Sequence, residues 1–107
     1  MIYQMVDFEF NSQLYPYLKE MIMNLPNAPK LVMQALSKKD YNKEDLSLRS
    51  GVRRGELNFA LCWIEALGFV YYTTSGRQKL YSLTPLGKKV YEEFNDLFHT
   101  LKEEPKD

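Results

Sequence analysis

Residues 46–68 read LSLRSGVRRGELNFALCWIEALG and predict two helices joined by a tight turn. The first helix ends at Gly51. The second helix runs from about Arg54 to Leu67 and stops at Gly68, because glycine readily closes a helix in the left-handed conformation. Two helices joined by a short turn that contains glycine form a helix-turn-helix motif.

The residues after this motif predict a two-stranded hairpin. Phe69 to Thr73 is rich in aromatic and β-branched residues, Thr74–Ser75–Gly76 supplies a turn, and Arg77 to Leu83 returns as the second strand. A helix-turn-helix followed by a hairpin is a winged helix. The predicted fold class is therefore mainly α with a small β-hairpin (α+β), a winged helix-turn-helix with extra N-terminal and C-terminal helices.

Three further segments are predicted before the motif. Residues 2–10 alternate between apolar and polar side chains at their end, which indicates a short strand or an extended arm. Ser12 to Leu25 predicts an amphipathic helix, and Asn27 is the expected N-cap of the next helix. Asn42 is expected to cap the first helix of the motif, with Leu48 among that helix's apolar anchors.

One long helix is predicted after the hairpin. Thr84 is a suitable N-cap, and Pro85 suits the first helical position. The pattern continues to about Glu103 and carries an apolar stripe that requires a second helix to pack against.

The composition fits one small domain. A chain of 107 residues can build one modest core, which we divide into residues 1–26 (arm and first helix), 27–83 (motif and wing) and 84–107 (C-terminal dimerisation helix). Fourteen basic residues balance fourteen acidic ones, which argues against indiscriminate coating of nucleic acid but allows a basic face. The single cysteine, together with the lack of a signal peptide or membrane span, predicts a cytoplasmic protein with no membrane partner.

The motif resembles the winged-helix transcriptional regulators of the MarR, ArsR and PadR type. Gly51–Val52 takes the place of that family's turn, Gly68–Phe69–Val70 ends the recognition helix, and Ser82–Leu83–Thr84–Pro85–Leu86–Gly87 matches the strand-to-helix signature, so the resemblance covers roughly residues 28–100. It implies a cytoplasmic homodimer that binds palindromic double-stranded DNA and regulates transcription. Dimerisation in such regulators typically uses the terminal helices. The apolar stripes of those helices supply the predicted dimer interface: Leu14, Leu18, Met21, Ile22, Val90, Phe94, Leu97, Phe98 and Leu101.

The start of the second motif helix carries the leading candidates for DNA binding. Arg53 and Arg54 stand at the end of the helix that enters the major groove in a helix-turn-helix, and arginine binds both guanine edges and phosphates. The alternative explanation for this pair is an ordinary solvated surface. Arg77 and Lys79 flank the hairpin turn, and charge that keeps the hairpin tip soluble explains them as well as DNA contact does. The other candidates are Arg49, Asn58, Phe59, Arg77 and Lys79.

The outer face of the second helix supports a different function. It holds mostly small or apolar residues, whereas a reader of base edges usually presents polar ones. Burial of Phe59 would contribute about 1.5–3 kcal/mol, so this face favours a covering partner. The alternative prediction is therefore a protein–protein interaction module that uses this face. Its members are Gly55, Asn58, Phe59, Cys62 and Ala66.

No pattern for catalysis or metal binding is found. The sequence shows no nucleophile–base set, no phosphate-binding glycine loop and no cluster of cysteines and histidines, so we expect no enzyme activity, no cofactor and no metal. Cys62 is expected to be a small buried hydrophobe. An organic effector could bind between the terminal helices near Tyr15, Tyr17 and Phe94, which is the weakest of the three functional hypotheses.

Overall fold

The computed structural model describes residues 14–99 and confirms the predicted fold class. Helices and one antiparallel hairpin follow each other in the order ααααββαα. The arm predicted at residues 2–10, the Ser12 cap and the end of the last helix lie outside the described residues. The elements are α1 (Leu14–Met23), α2 (Asn27–Leu36), α3 (Lys43–Ser50), α4 (Arg54–Ala66), β1 (Val70–Ser75), β2 (Gln78–Leu83), α5 (Pro85–Glu93) and α6 (Asn95–His99).

The turn between α3 and α4 forms where the glycine predicted it. Gly51 has a φ of +78°, in the left-handed region, and its N–H donates to the carbonyl of Ser47 at 3.0 Å. The Ser47 hydroxyl donates to the carbonyl of Val52 at 2.6 Å. Val52 is buried, so its side chain anchors the turn in the core while the backbone bonds fix the angle between the two helices.

The end of α4 is a Schellman motif. Gly68 has a φ of +83° and donates its N–H to the carbonyl of Glu65 at 3.0 Å. The N–H of Phe69 donates to the carbonyl of Ile64 at 2.9 Å, which is the second bond of this motif. Because Phe69 is buried, the chain leaves α4 directly into the core before it begins β1.

Thr84 joins the end of α4, the base of the hairpin and the start of α5. Its hydroxyl donates to the carbonyl of Gly68 at 2.6 Å and accepts the N–H of Gly87 at 2.9 Å as the N-cap of α5. Its own N–H donates to the carbonyl of Phe69 at 2.9 Å. The side chain is fully buried, so one residue satisfies polar groups from three segments without access to water.

The hairpin pairs β1 with β2 from Val70 opposite Leu83 to Ser75 opposite Gln78. Its loop is Gly76–Arg77, two residues later than the start of the predicted turn, because the strands remain paired as far as Ser75. Gly76 has a φ of +64°, and no residue other than glycine has a positive φ within the described chain, which is the φ pattern of a type II′ turn.

The base of the hairpin is attached to the segment before α3. Tyr41 and Tyr81 exchange two backbone hydrogen bonds of 3.2 and 2.8 Å, and the pair forms an isolated antiparallel bridge. The wing is therefore held both to the end of α4 and to the start of the motif.

The single long C-terminal helix predicted from the sequence is wrong in one respect, because the chain breaks at Phe94. Phe94 has φ −113° and ψ +34°, and α6 starts at the next residue. The break lets both Phe94 and Phe98 enter the core, and the Phe98 ring lies 5.0 Å from that of Tyr91. Asn95 and Asp96 favour a helix start and indicate a second helix here, but the prediction followed the continuous apolar spacing instead.

Two local predictions, one in the first motif helix and one before it, are also wrong. Leu48 is 76% exposed because it lies two residues, or about 200° of helix rotation, from the buried Leu46. Asn27 is the first residue of α2, and its N-cap is Pro26, which offers no side-chain hydrogen bond.

Candidate nucleic-acid interface

A polar groove of about 320 Å³ lies between the start of α3, the start of α4 and the hairpin. Four basic side chains from these three elements meet around it with one acidic side chain. Convergence of cations on a concave surface raises the local positive potential even though the net charge of the chain is zero. The lining residues are Asn42, Lys43, Glu44, Arg54, Arg77, Gln78 and Lys79.

Asn42 connects two walls of this groove. As the N-cap of α3, its side-chain oxygen accepts the N–H of Asp45 at 2.8 Å. Its side-chain nitrogen donates to the Oε1 atom of Gln78 at 3.5 Å, across to β2. The residue predicted only as a helix cap therefore also contacts the hairpin.

Lys79 is held on the hairpin by an aromatic ring. Its ammonium nitrogen lies 4.3 Å from the centre of the Tyr72 ring, which is a favourable cation–π distance. The Tyr72 ring in turn lies 5.6 Å from that of Tyr81, at the base of the wing. The cation–π contact favours a position of the ammonium group on the groove wall.

The N-terminus of α4 beside the groove has no side-chain cap. Arg53 is the N-cap residue, has extended backbone angles and makes no capping hydrogen bond, whereas α3 and α5 are capped by Asn42 and Thr84. First-turn N–H groups have no partner within a helix. The positive end of α4 is therefore available to an anion, although Glu56 in its first turn reduces the attraction.

The structure brings together some of the predicted DNA-binding residues and separates others. Arg54, Arg77 and Lys79 line the polar groove, and exposed Arg53 precedes Arg54. Arg49 lines a different groove of about 300 Å³, between α2 and the end of α3. Sequence reasoning missed Lys43, because its place beside the wing depends on packing between segments far apart in the chain.

The exposed surface of α4 has a wing side and an α1 side. Asn58 is exposed, and with 100° of rotation per residue it falls on the wing side, the same side as Arg54. Phe59 is 59% exposed and lines a separate groove of about 400 Å³ near the start of α2. Its ring meets that of Trp63 edge to face at 6.3 Å. The aromatic residues thus lie away from the basic groove.

Cys62 is exposed, so the prediction that it is a small buried hydrophobe is wrong. The buried stripe of α4 is narrow, and Cys62 lies about 140° around the helix from Leu57, well outside it. The buried members are Leu57, Ala60, Leu61 and Ile64.

An apolar groove of about 430 Å³ separates α1 from α4. Tyr17 and Met21 of α1 face Trp63 of α4 across it, and Tyr17 is 66% exposed. Together with Phe59, these side chains form one apolar surface, which we name the aromatic patch: Tyr17, Met21, Phe59 and Trp63.

Most of the predicted dimer-interface residues lie inside the core of the protomer. Their burial accounts for the apolar stripes within one chain, so these side chains do not form a free surface. Leu14, Met21 and Leu97 are partly exposed and remain available to a second copy, and Leu101 lies outside the described residues. The buried members, each at most 5% exposed, are Leu18, Ile22, Val90, Phe94 and Phe98.

The pKa of Tyr81, at the base of the wing, is raised above its ordinary value. Its burial disfavours the charged phenolate and raises the pKa of the phenol, and the negative charge of Glu65 raises that pKa further. Ionised forms of Tyr72 and Cys62 act in the same direction. The phenol is therefore neutral and serves the packing of the hairpin.

Within residues 14–99, no group of three or more histidine, cysteine or acidic residues is arranged to hold a metal ion. In the same part of the chain, no helix is long and apolar enough to cross a membrane.

Comparison with known proteins shows similarity in structure. No protein-family model and no curated protein matches the sequence. A MarR-family transcriptional regulator from Silicibacter pomeroyi matches with a TM-score of 0.64 and 23% identity, over 88% of this chain and 76% of that one. BpsR of Bordetella bronchiseptica gives 0.64 and 16%, over 89% and 83% of the two chains. A mutant of the type III plasmid segregation protein TubR gives 0.63 and 22%, over 83% and 94%.

The same architecture thus occurs in regulators and in a segregation protein, so fold alone leaves the role open. The predicted resemblance is confirmed at the level of the fold: this chain has the winged-helix architecture of the MarR-family regulators.

Proposed function

We propose that this protein binds double-stranded DNA as a homodimer and regulates transcription. The observation that carries the proposal is the polar groove, where Lys43, Arg54, Arg77 and Lys79 converge beside the uncapped N-terminus of α4. Cations and a helix N-terminus on one surface suit a phosphate backbone. The regulators that share the fold support the role, and one of them, BpsR, binds DNA under the control of 6-hydroxynicotinic acid.

In this proposal α4 lies in the major groove with its N-terminus leading. Arg53 and Arg54 contact guanine edges or phosphates, and Asn58 reaches a base edge. Arg77 and Lys79 contact the backbone or minor groove from the hairpin. Because the chain has no net charge, binding depends on this one face. The protein acts in the cytoplasm and uses no catalytic step, cofactor or metal.

The test is the double variant Arg54→Ala/Arg77→Ala, which removes two cations from the polar groove. The probe is a duplex that the wild-type protein enriches from a random-sequence pool. The affinity should fall, and the slope of log K against log salt should become shallower by about 3.6, because each of the two protomers loses two cations and each phosphate contact contributes about 0.9 to that slope.

The matched control is Lys19→Ala/Lys88→Ala, which removes the same charge from exposed positions on α1 and α5. It should keep the wild-type slope. Equal slopes for the groove variant and the control would contradict DNA binding through this groove.

The aromatic patch favours a second candidate function, a protein–protein interaction module. Phe59 and Trp63 are 59% and 39% exposed, and large apolar side chains grouped on a surface commonly mark a partner site. This alternative makes the opposite forecast for the same experiment. The wild-type protein would enrich no DNA sequence, and the groove variant would match the wild type in every DNA measurement.

A further inference from the structure

One line of exposed residues along α4 lacks strong hydrogen-bonding groups. Its members follow the spacing i, i+4, i+7 and i+11, which runs nearly parallel to a helix axis, and they lie within about 30° of the direction opposite the buried stripe. All four are exposed. We name this set the apolar line: Gly55, Phe59, Cys62 and Ala66.

Polar side chains on α4 stand beside the apolar line. Arg54 lines the polar groove and Asn58 lies on the same side of α4, whereas Glu56 lies on the other side, beside the start of α2. Gly55 has open space around it, since an added Cβ would meet no atom within 4 Å. If α4 lies in a major groove, the surface nearest the base pairs is therefore small and apolar, and its amide and guanidinium groups reach the bases from one flank.

An apolar surface in the major groove favours A·T pairs over G·C pairs. The C5-methyl group of thymine is the one apolar feature that the standard bases present in the major groove. A G·C pair presents only hydrogen-bonding atoms there, and covering those atoms with apolar groups removes their water without replacing it. Asparagine, in contrast, pairs well with the N6 and N7 atoms of adenine.

We propose that the apolar line reads thymine methyl groups, so that each half-site carries A·T pairs facing α4, with an adenine on the wing side contacted by Asn58. The inference rests on the proposed function, because it assumes that α4 enters the major groove. It goes further by assigning the base preference to Phe59, Cys62 and Ala66 rather than to the arginines. Arg53 and Arg54 then act at the edge of the half-site.

The experiment uses the full chain and the duplex enriched from a random-sequence pool. Each thymine of the enriched site is replaced in turn by uracil, which lacks the methyl group but keeps every hydrogen-bonding atom. Replacement at a contacted position should weaken binding about fourfold, as expected for one buried methyl-sized group. The salt slope should stay unchanged, because the phosphate contacts are the same.

Two protein variants assign the effect to the apolar line. In Phe59→Ala, uracil replacement at the thymine that faces this residue should no longer weaken binding. Leu48→Ala is the control, since it also truncates an exposed apolar side chain but one on α3, away from the apolar line. It should keep the full uracil effect.

The outcomes separate this inference from the function on which it rests. An enriched duplex that shows the groove-dependent salt slope but no uracil effect would overturn the inference and leave the DNA-binding proposal standing. A G·C-rich enriched site would do the same. If no duplex is enriched at all, both are overturned.

Discussion

The absence of a side chain at Gly87 allows α5 to approach the chain segment that follows α4. A Cβ added at Gly87 would lie 2.1 Å from the carbonyl oxygen of Phe69 and 3.0 Å from its carbon. These are backbone atoms, fixed on one side by the Schellman motif and on the other by the N–H of Thr84. A side chain at this position therefore forces the hairpin base and α5 apart.

Gly87→Ala should lower the free energy of unfolding by at least about 2 kcal/mol, since backbone must move to relieve the overlap. Urea denaturation measures the change. Gly55→Ala is the matched control, because its new methyl group meets nothing within 4 Å and alanine is the better helix former, worth up to about 1 kcal/mol. Equal effects of the two substitutions would contradict the role assigned to close approach at Gly87.

Residue-scale features were predictable where they depend on local backbone geometry. Gly51, Gly68 and the Asn42 and Thr84 caps all lie where turn and capping preferences placed them. The contact between Gly87 and the Phe69 carbonyl joins residues that are adjacent only in the fold. No periodicity or propensity reports a distance of that kind, so it could not be predicted.

The wing is an element whose attachment depends on Tyr81. Its backbone bonds to Tyr41, its ring lies 5.6 Å from that of Tyr72, and the Tyr72 ring in turn contacts the Lys79 ammonium group at the polar groove. Burial raises the pKa of Tyr81 above its ordinary value of about 10. In the unfolded chain the phenol therefore loses its proton at a lower pH than in the folded protein.

This difference in the pKa of Tyr81 between the folded and unfolded chain predicts how the free energy of unfolding falls at alkaline pH. The contribution of Tyr81 is complete below about pH 10, and it is lost as the pH rises towards the raised pKa of the folded state. Tyr81→Phe cannot ionise, so its free energy of unfolding should fall less steeply above about pH 10 than that of the wild type.

Chemical denaturation at several pH values measures these slopes, and the same change at exposed Tyr17 is the matched control. A Tyr81→Phe limb as steep as the wild type would show that Tyr81 does not cause the alkaline loss of stability.

At the level of elements, the sequence predicted the helices and the hairpin better than the surfaces between them. Amphipathic spacing located α1 to α5. It also predicted one continuous helix across Phe94, because a continuous helix and a broken one bury similar apolar residues. The polar groove needs α3, α4 and the wing together, and its Asn42–Gln78 contact spans 36 residues. Arg54, Arg77 and Lys79 were therefore predicted individually, and their meeting in one groove was not.

For the whole molecule, the proposed homodimer needs a surface that joins two copies. The terminal-helix stripe first expected to do so is largely core, whereas α1 turns Tyr17 and Met23 outward, at 66% and 56% exposure. The partly exposed Met21 and the apolar groove against Trp63 continue that surface. A two-fold axis beside α1 would place this surface against itself, as an isologous interface requires.

We therefore expect Tyr17→Glu/Met23→Glu to convert a dimer into a monomer, because it places charge where each copy would bury apolar surface. Sedimentation velocity distinguishes the 12.6 kDa chain from a species of twice that mass. Leu48→Glu is the matched control, since Leu48 is a 76% exposed apolar residue on α3, away from α1.

The same variants connect assembly to recognition. A dimer binds two half-sites about one helical turn apart, so the α1 variant should keep contact with one half-site but lose the gain from the second. Its affinity for the full site should fall to that of a single half-site. A wild-type protein that sediments at 12.6 kDa would instead leave the α1 surface free and favour the protein-interaction alternative.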